Sequence, residues 1–256
     1  MTSEKPEALL IALITTFGLF YIGLALGNGL DRLSATRPEL AHEVPELFAS
    51  EALRVAGAQA LGDGNARAMR IISERAIRDA PSDPQSAAML GAALLASGDQ
   101  TRADRAFRVA GRLGWRVPIT QNYWMSKALA VSDYQSAALR LDALARQLPS
   151  LINEPQLLNP MERNPAGRAA LIQRMARHPA WLTNYVAFDA AAPADALVQR
   201  SVVLEEAADV GVLLGCEAVA PMVKQLVGQK LVDDGARLWR AQCSVIGRAM
   251  VANPPI

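Results

Sequence analysis

The sequence predicts an all-α protein that begins with a single membrane-spanning helix. Three observations support this fold class: an uncharged apolar run near the start, a pattern that recurs every 34 residues, and the lack of an alternating apolar pattern long enough for a sheet. Hydrophobic residues make up 51% of the chain but aromatic residues only 5%, a balance rich in Ala and Leu that favours helix over strand. The predicted parts are an N-terminal tail (1–7), a transmembrane anchor (8–30), a juxtamembrane linker (31–49), three helical repeats (50–151) and a helical C-terminal region with a degenerate hairpin (152–256).

The apolar run carries no charged residue from Ala8 to Leu30. Its most apolar part, Ala8 to Leu26, would span roughly 28 Å as a helix, close to the thickness of a bilayer's hydrocarbon core. A cleaved signal peptide is the alternative, with Ala25-Leu26-Gly27 as a small-residue cleavage site. Only Lys5 precedes the run, whereas a signal peptide has a more basic start, so a retained anchor is the favoured interpretation.

Gly23 and Gly27 within the run form a GxxxG pattern, which lets a second helix approach closely. We expect a docking face here, although glycine is also simply common in membrane helices. The count of basic residues on the two sides, Lys5 against Arg32 and Arg37, is nearly a tie. We expect the soluble part on the extracytoplasmic side, with a cytoplasmic location as the alternative.

A pattern of small residues and turn residues repeats with a period of 34. Blocks that start at Ser50, Pro84 and Pro118 align without insertion, and their turns read GDGN, SGDQ and VSDY. Small residues let antiparallel helices pack closely, and a Gly-Asp turn ends one helix and caps the next. The pattern therefore predicts helical hairpins. The recurring small residues are Gly57, Gly91, Ala76, Ala103, Ala110 and Ala137.

This pattern resembles the tetratricopeptide repeat of bacterial proteins with an N-terminal membrane anchor. The third block departs from it with Met125 in the small-residue slot, and the second has Trp115 where a closing proline is expected. The resemblance implies an α-solenoid whose first helices line a concave groove for a peptide or helix. The groove positions it implies are Arg54, Gln85, Asn122 and Ser126. The alternatives are that these are ordinary exposed helix residues, or that the C-terminal third of the chain folds into the groove.

The last third of the chain has a less regular pattern. Three prolines between Leu151 and Gly167 indicate an irregular linker or a loop packed on the repeats. Helices are predicted after it, and the last two of them form the degenerate hairpin. Their ranges are 168–177, 196–217, 221–231 and 234–250.

Two further features have both a functional and a structural interpretation. A basic stripe of arginines at helical spacing fits an acidic partner or lipid headgroups, or it is a solvated outer face. Cys216 and Cys243 lie on two predicted helices and could form a disulfide in an oxidising compartment, or remain buried thiols. The stripe consists of Arg102, Arg105, Arg108, Arg112 and Arg116.

Composition and motifs argue against several functions. A balance of 26 basic and 25 acidic residues gives no case for a nucleic-acid partner. No phosphate loop, dinucleotide fingerprint or nucleophile motif is present, and no spacing suits a metal, so we expect no cofactor and no enzyme activity. The expected function is a scaffold or accessory subunit that binds other proteins, mainly membrane proteins, with residues 8–30 in the lipid bilayer. The alternatives are a transient peptide-binding regulatory module and a component of envelope polysaccharide synthesis or export.

Overall fold

The computed structural model describes residues 5–187 and 193–243, and within them every regular element is a helix. The prediction of an all-α fold is confirmed for these residues. The chain forms two compact units, residues 1–119 and 120–256. The boundary between them falls inside the range 50–151 assigned to the repeats.

The first unit contains a long N-terminal helix followed by two helical hairpins. Short 3-10 turns at Pro38–Glu43 and Glu46–Phe48 connect the long helix to the first hairpin. In the hairpins α2 packs on α3, α3 on α4, and α4 on α5. These helices are α1 (Lys5–Ser34), α2 (Ser50–Gly62), α3 (Ala66–Asp79), α4 (Pro84–Ala96) and α5 (Gln100–Leu113).

The second unit is built around one apolar core. Helix α6 (Pro118–Ala130) crosses the boundary between the units. The core is lined by fully buried side chains such as Leu141, Leu171, Trp181 and Leu204. Its other helices are α7 (Tyr134–Ala145), α8 (Pro155–Glu162), α9 (Pro165–Met175), α10 (Leu182–Val186), α11 (Ala194–Asp209), α12 (Cys216–Gly228) and α13 (Val232–Cys243).

The 34-residue period reappears in the local geometry of the turns. Helices α2, α4 and α6 begin 34 residues apart, as do α3, α5 and α7. The residue before each second helix caps it: Asn65, Asp99 and Asp133 each accept a hydrogen bond from a main-chain N–H three residues on. The preceding turn residues are in the left-handed region, at φ +67° for Gly64, +80° for Gly98 and +57° for Ser132. The two glycines adopt this conformation without steric cost, whereas Ser132 adopts it at a steric cost because it carries a Cβ.

Glycines in the first helices of the first two hairpins provide the close packing that the sequence predicts. A Cβ on Gly91 would lie 2.9 Å from two ring carbons of Phe107, a buried residue of α5. A Cβ on Gly57 would meet the terminal methyl group of Met89, the far end of a flexible side chain. The first contact is with a rigid ring and the second with a chain that can rotate away.

We therefore expect Gly91→Ala to lower the free energy of unfolding by about 1–3 kcal/mol, because the Phe107 ring has no room to move in the packed seam. Gly57→Ala is the matched comparison, and its cost should be smaller because Met89 can change rotamer. Chemical denaturation of the two variants gives both values. Equal losses would contradict this explanation of the seam.

The region 151–167 is not the irregular linker that the sequence indicated. It contains a 3-10 turn at Pro149–Asn153, all of α8 and the start of α9. Pro155 and Pro165 are the first residues of α8 and α9, where the missing N–H would have no helical partner in any case. Two of the three prolines therefore start helices, and the third, Pro160, lies inside α8.

The predicted helix boundaries after residue 190 also need correction. Helix α11 ends at Asp209 rather than at 217, because Gly211 and Gly215 have φ of +86° and +87°. Helix α12 then starts at Cys216, so Pro221 lies inside the helix instead of opening it. Helices α12 and α13 pack as a hairpin, with Gly235 against Val223 and Val227. Residues 244–250 of the last predicted helix lie outside the described part of the chain.

Candidate binding surfaces

Helix α1 exposes almost all of its apolar surface. It is long and apolar enough to span a membrane, and little of its most apolar part is buried within the structure. Large side chains such as Phe17, Phe20 and Leu26 are 72%, 62% and 68% exposed. Soluble domains seldom expose one continuous apolar patch of this size. The exposed surface of α1 therefore indicates that this helix lies in an apolar environment.

The C-terminal end of α1 is joined to the first hairpin by a capping interaction. Both carboxylate oxygens of Asp31 accept hydrogen bonds from the start of α2: Oδ2 from the N–H of Glu51 at 3.1 Å and Oδ1 from the N–H of Ala52 at 2.9 Å. Asp31 is 6% exposed, and Ser34 beside it is fully buried. One helix thus supplies the N-terminal cap of another, and the carboxylate also favours the positive end of the α2 dipole.

We expect Asp31→Ala to weaken the junction by about 1–2 kcal/mol, because two N–H groups of α2 lose their acceptor. Limited proteolysis of the full chain should then cut the connecting segment 35–49 faster than in the wild type. Asn28→Ala is the control, since the Asn28 side chain bonds only to the Leu24 carbonyl of its own helix. If the two variants were cut at the same rate, the junction would not depend on this cap.

The two glycines of the predicted docking face have different surroundings. A Cβ on Gly27 would lie 2.3 Å from the Phe48 ring, so that ring packs directly on the buried glycine. Gly23 has no atom within 4 Å of the corresponding position. Part of the GxxxG face is therefore used within the chain, and Gly23 is left uncovered.

The residues expected to line a groove differ in how accessible they are. Arg54 forms ion pairs with Glu51, at 2.5 Å, and with Asp83, at 3.4 Å, which links α2 to the start of α4. Gln85 is half-buried in the first turn of α4. Asn122 and Ser126 are exposed on α6. Arg54 is thus engaged within the hairpins, while Asn122 and Ser126 are open to solvent.

Asp83, which joins the start of α4 to Arg54 of α2, is a carboxylate whose surroundings stabilise its charged form. Burial opposes its ionisation, but hydrogen bonds from the hydroxyl and N–H of Ser86, the charge of Arg54 and the N–H of Gln85 together outweigh burial and lower its pKa. The carboxylate caps α4 at its N-terminus. Arg54 and Asp83 therefore serve the packing of one hairpin on the next.

The basic stripe is exposed along its whole length, but its last member is not on the helix. Arg102, Arg105, Arg108 and Arg112 lie on α5, whereas α5 ends at Leu113 before Arg116. Arg102 forms an ion pair with the capping residue Asp99, and the Arg116 guanidinium lies 5.0 Å from the centre of the Trp115 ring. The exposed face still presents cations beside an exposed tryptophan.

A pocket of about 860 Å³ lies in the second unit between α10 and α12. Its volume is within the range of small-ligand and side-chain pockets. Most of the lining is apolar, from residues such as Leu182, Val186 and Leu214. Its polar members are His178, Thr183, Lys224 and Gln225. No local sequence pattern indicates this pocket, because its walls come from helices that are separated along the chain.

A buried polar network holds the second unit together beside its core. Glu162 and Arg200 are 1% and 2% exposed and form an ion pair at 3.0 Å between Oε1 and Nε. The Tyr185 hydroxyl donates to the same Glu162 oxygen at 2.8 Å, and the Arg200 guanidinium lies 4.3 Å from the centre of the Tyr185 ring. Burial, and next the Glu162 charge, raise the pKa of Tyr185 well above its ordinary value, so the phenol stays a donor.

The same guanidinium also satisfies neutral acceptors. Arg200 donates to the Asn153 side chain and to the carbonyl oxygens of Tyr185 and Ile152. These acceptors and Glu162 all belong to the second unit, which indicates a structural role for the network. The sequence signal was available, since Arg200 stands among Leu197, Val203 and Leu204, all at core-facing helical spacing.

The structure brings Cys216 and Cys243 together. The two thiols are unbonded, and Cys216 packs on the small cluster that contains Cys243, Val186 and Val219. Burial, and next the hydrogen bond with Cys216, raise the pKa of Cys243 to about 12. Within residues 5–187 and 193–243, no three His, Cys, Asp or Glu side chains are grouped so that they could hold a metal ion.

Comparison with protein-family models, with curated proteins and with solved structures gave no match for this chain.

Proposed function

We propose that this chain is a membrane-anchored scaffold or accessory subunit that binds other proteins and catalyses no reaction itself. The observation that carries the proposal is the combination in α1 of an uncovered apolar surface and a firm junction to the first hairpin. A 30-residue helix is about 45 Å long, which exceeds a hydrocarbon core of about 30 Å. The apolar part would lie in the bilayer while Asp31 and Ser34 stay outside it.

The same junction favours a retained anchor over a cleaved signal peptide. Gly27 is buried beneath Phe48 and Asp31 caps α2, so the end of α1 belongs to the packing of the soluble part. An anchored domain moves in two dimensions, which raises its effective concentration near membrane partners. The mass of the protein purified from membranes tests this step, since cleavage after Gly27 would remove most of α1.

The resemblance to tetratricopeptide repeats supports protein binding by the hairpins. In this proposal Asn122 and Ser126 are the open groove positions, because Arg54 is held in ion pairs. Gly23 is the open position of the transmembrane face. A partner would therefore contact the chain both within the membrane and outside it.

The test is purification of the full-length tagged chain in mild detergent, followed by identification of proteins present at stoichiometric amounts. Gly23→Ile should reduce the recovered partner at least several-fold, because a branched side chain blocks close helix approach. Gly18→Ile is the matched control, since Gly18 also has nothing within 4 Å but lies outside the GxxxG pattern. If no protein co-purifies with the wild type under several detergents, the stable-subunit proposal fails.

The α10–α12 pocket favours a second candidate, a transient peptide-binding module. An apolar pocket with His178 and Lys224 at its edge suits an apolar side chain next to an acidic group. Such a partner would be lost during washing but captured by cross-linking in cells. Recovery only after cross-linking would favour this second function over the first.

We also propose that the soluble part lies on the extracytoplasmic side. The half-exposed Cys216 provides the probe for sidedness. A membrane-impermeant thiol reagent, applied to spheroplasts with and without prior reduction, should label the chain on this side. Labelling only after lysis would place the soluble part in the cytoplasm.

A further inference from the structure

The only two cysteines of the chain meet at the open end of one helical hairpin. Cys216 is the first residue of α12 and Cys243 is the last residue of α13. Cys216 lies 13 residues before Gln229, and Cys243 lies 13 residues after Lys230, the two residues at the turn. In an antiparallel hairpin, residues equally distant from the turn lie at the same level, so the placement follows from the fold itself.

The surroundings of the two thiols differ in a way that gives them distinct roles. Cys243 is 3% exposed and packs with Val186 and Val219, whereas Cys216 is half-exposed. An external reagent therefore reaches Cys216 first. The buried Cys243 can react only with a sulfur that is already next to it.

We infer that Cys216 and Cys243 form a reversible disulfide that locks α13 onto α12, with Cys216 as the attacking thiol and Cys243 as the resolving thiol. The oxidant is a disulfide of the thiol-exchange class, either a small molecule or a protein. The Cys216 thiolate attacks one sulfur of that disulfide, forms a mixed disulfide and releases the first thiol. Cys243 then gives up its proton and attacks the Cys216 sulfur, which releases the second thiol. Two protein thiols are oxidised and one external disulfide is reduced.

The cross-link would act at the open end of the hairpin. Leu214 and Trp239 pack both on the small cluster of Cys243, Val186 and Val219 and on the main core of the second unit. Joining residues 216 and 243 closes a loop around the whole hairpin and limits its opening in the unfolded ensemble. Oxidation would thus fix α13, while reduction would allow it to separate from α12.

The experiment oxidises the purified full-length chain with glutathione disulfide and counts thiols after denaturation. The count should fall from two to zero, the product should stay monomeric, and dithiothreitol should restore both thiols. The thermal unfolding midpoint of the oxidised protein should rise by about 5–10 °C. Two persisting thiols, a stable glutathione adduct on the wild type or disulfide-linked dimers would overturn the inference.

Single variants test the order of the two steps. Cys243→Ser should accumulate the mixed disulfide on Cys216, because the resolving thiol is missing. Cys216→Ser should react with glutathione disulfide at least tenfold more slowly, because Cys243 is buried and forms little thiolate near neutral pH. Equal rates for the two variants would overturn the assigned roles. Circular dichroism of both variants shows that each retains its helices before rates are compared.

Discussion

Arg200→Met is expected to lower the free energy of unfolding of the second unit by about 3–5 kcal/mol. The substitution leaves Glu162 as an uncompensated charge at 1% exposure, which costs far more than the lost contact itself. It also removes the donor to the Asn153 side chain and to two carbonyl oxygens. Urea unfolding followed by tryptophan fluorescence reports mainly on this unit, because three of the four tryptophans, Trp124, Trp181 and Trp239, lie in it.

A double variant separates the cost of the charge from the cost of packing. Adding Glu162→Gln to Arg200→Met removes both charges and keeps an oxygen that can accept from the Tyr185 hydroxyl. We expect the double variant to recover roughly 1–2 kcal/mol relative to Arg200→Met alone. A double variant as unstable as the sum of the two single variants would show that the buried charge is not the cause.

Arg163→Met is the matched control for the same substitution at the surface. Arg163 forms an ion pair with Asp195 in which both side chains are more than half exposed. Solvent screens such a pair, so the change should cost less than about 1 kcal/mol. The contrast between the two arginines isolates burial as the variable.

The sequence predicted the hairpins well because their signals are local. Asn65, Asp99 and Asp133 act within one turn of chain, and Gly64 and Gly98 are needed where the backbone takes a positive φ. A period of 34 therefore locates helix starts without any knowledge of tertiary contacts. The all-α fold class follows from the same local signals.

Sequence patterns did not predict the helix boundaries that depend on the role of a proline or glycine. They also did not predict the side-chain pairs that depend on tertiary packing. Pro155 and Pro165 look the same as breakers and as first helical residues, and only the fold shows that they start α8 and α9. The partners Glu162 and Arg200 are 38 residues apart, so no local pattern pairs them. The cap from Asp31 to α2 likewise joins residues that are far apart in sequence, since Glu51 and Ala52 lie 20 and 21 residues after Asp31.

For the candidate binding surfaces too, the sequence locates the residues, but only the fold shows which of them are covered. Gly23 and Gly27 look equivalent in the sequence, but Phe48 covers only Gly27, because the 3-10 turn at 46–48 returns to α1. In the sequence Arg54 is a candidate groove residue, but in the structure it forms an ion pair with Asp83. Cys216 and Cys243 pack in one cluster because hairpin geometry brings residues equally distant from a turn together.

Gly167→Ala is the second substitution expected to have a large effect, a loss of about 3 kcal/mol or more in the free energy of unfolding. A Cβ at this position would lie 2.3 Å from the carbonyl oxygen and 2.8 Å from the Cα of Met161. Both atoms belong to the backbone of α8, so no rotamer change relieves the clash and the corner between α8 and α9 must open. Met161 is fully buried in the core, and moving it disturbs the packing of Leu171 and Met175.

Gly228→Ala is the control, because it is the last residue of α12, in the same unit, with nothing within 4 Å of its added Cβ. This change should be neutral or stabilise by up to about 1 kcal/mol, since alanine restricts the unfolded chain more than glycine does. Urea denaturation of the full-length variants gives both values. If Gly167→Ala cost no more than Gly228→Ala, the close approach of α9 to the α8 backbone would not be a constraint on this fold.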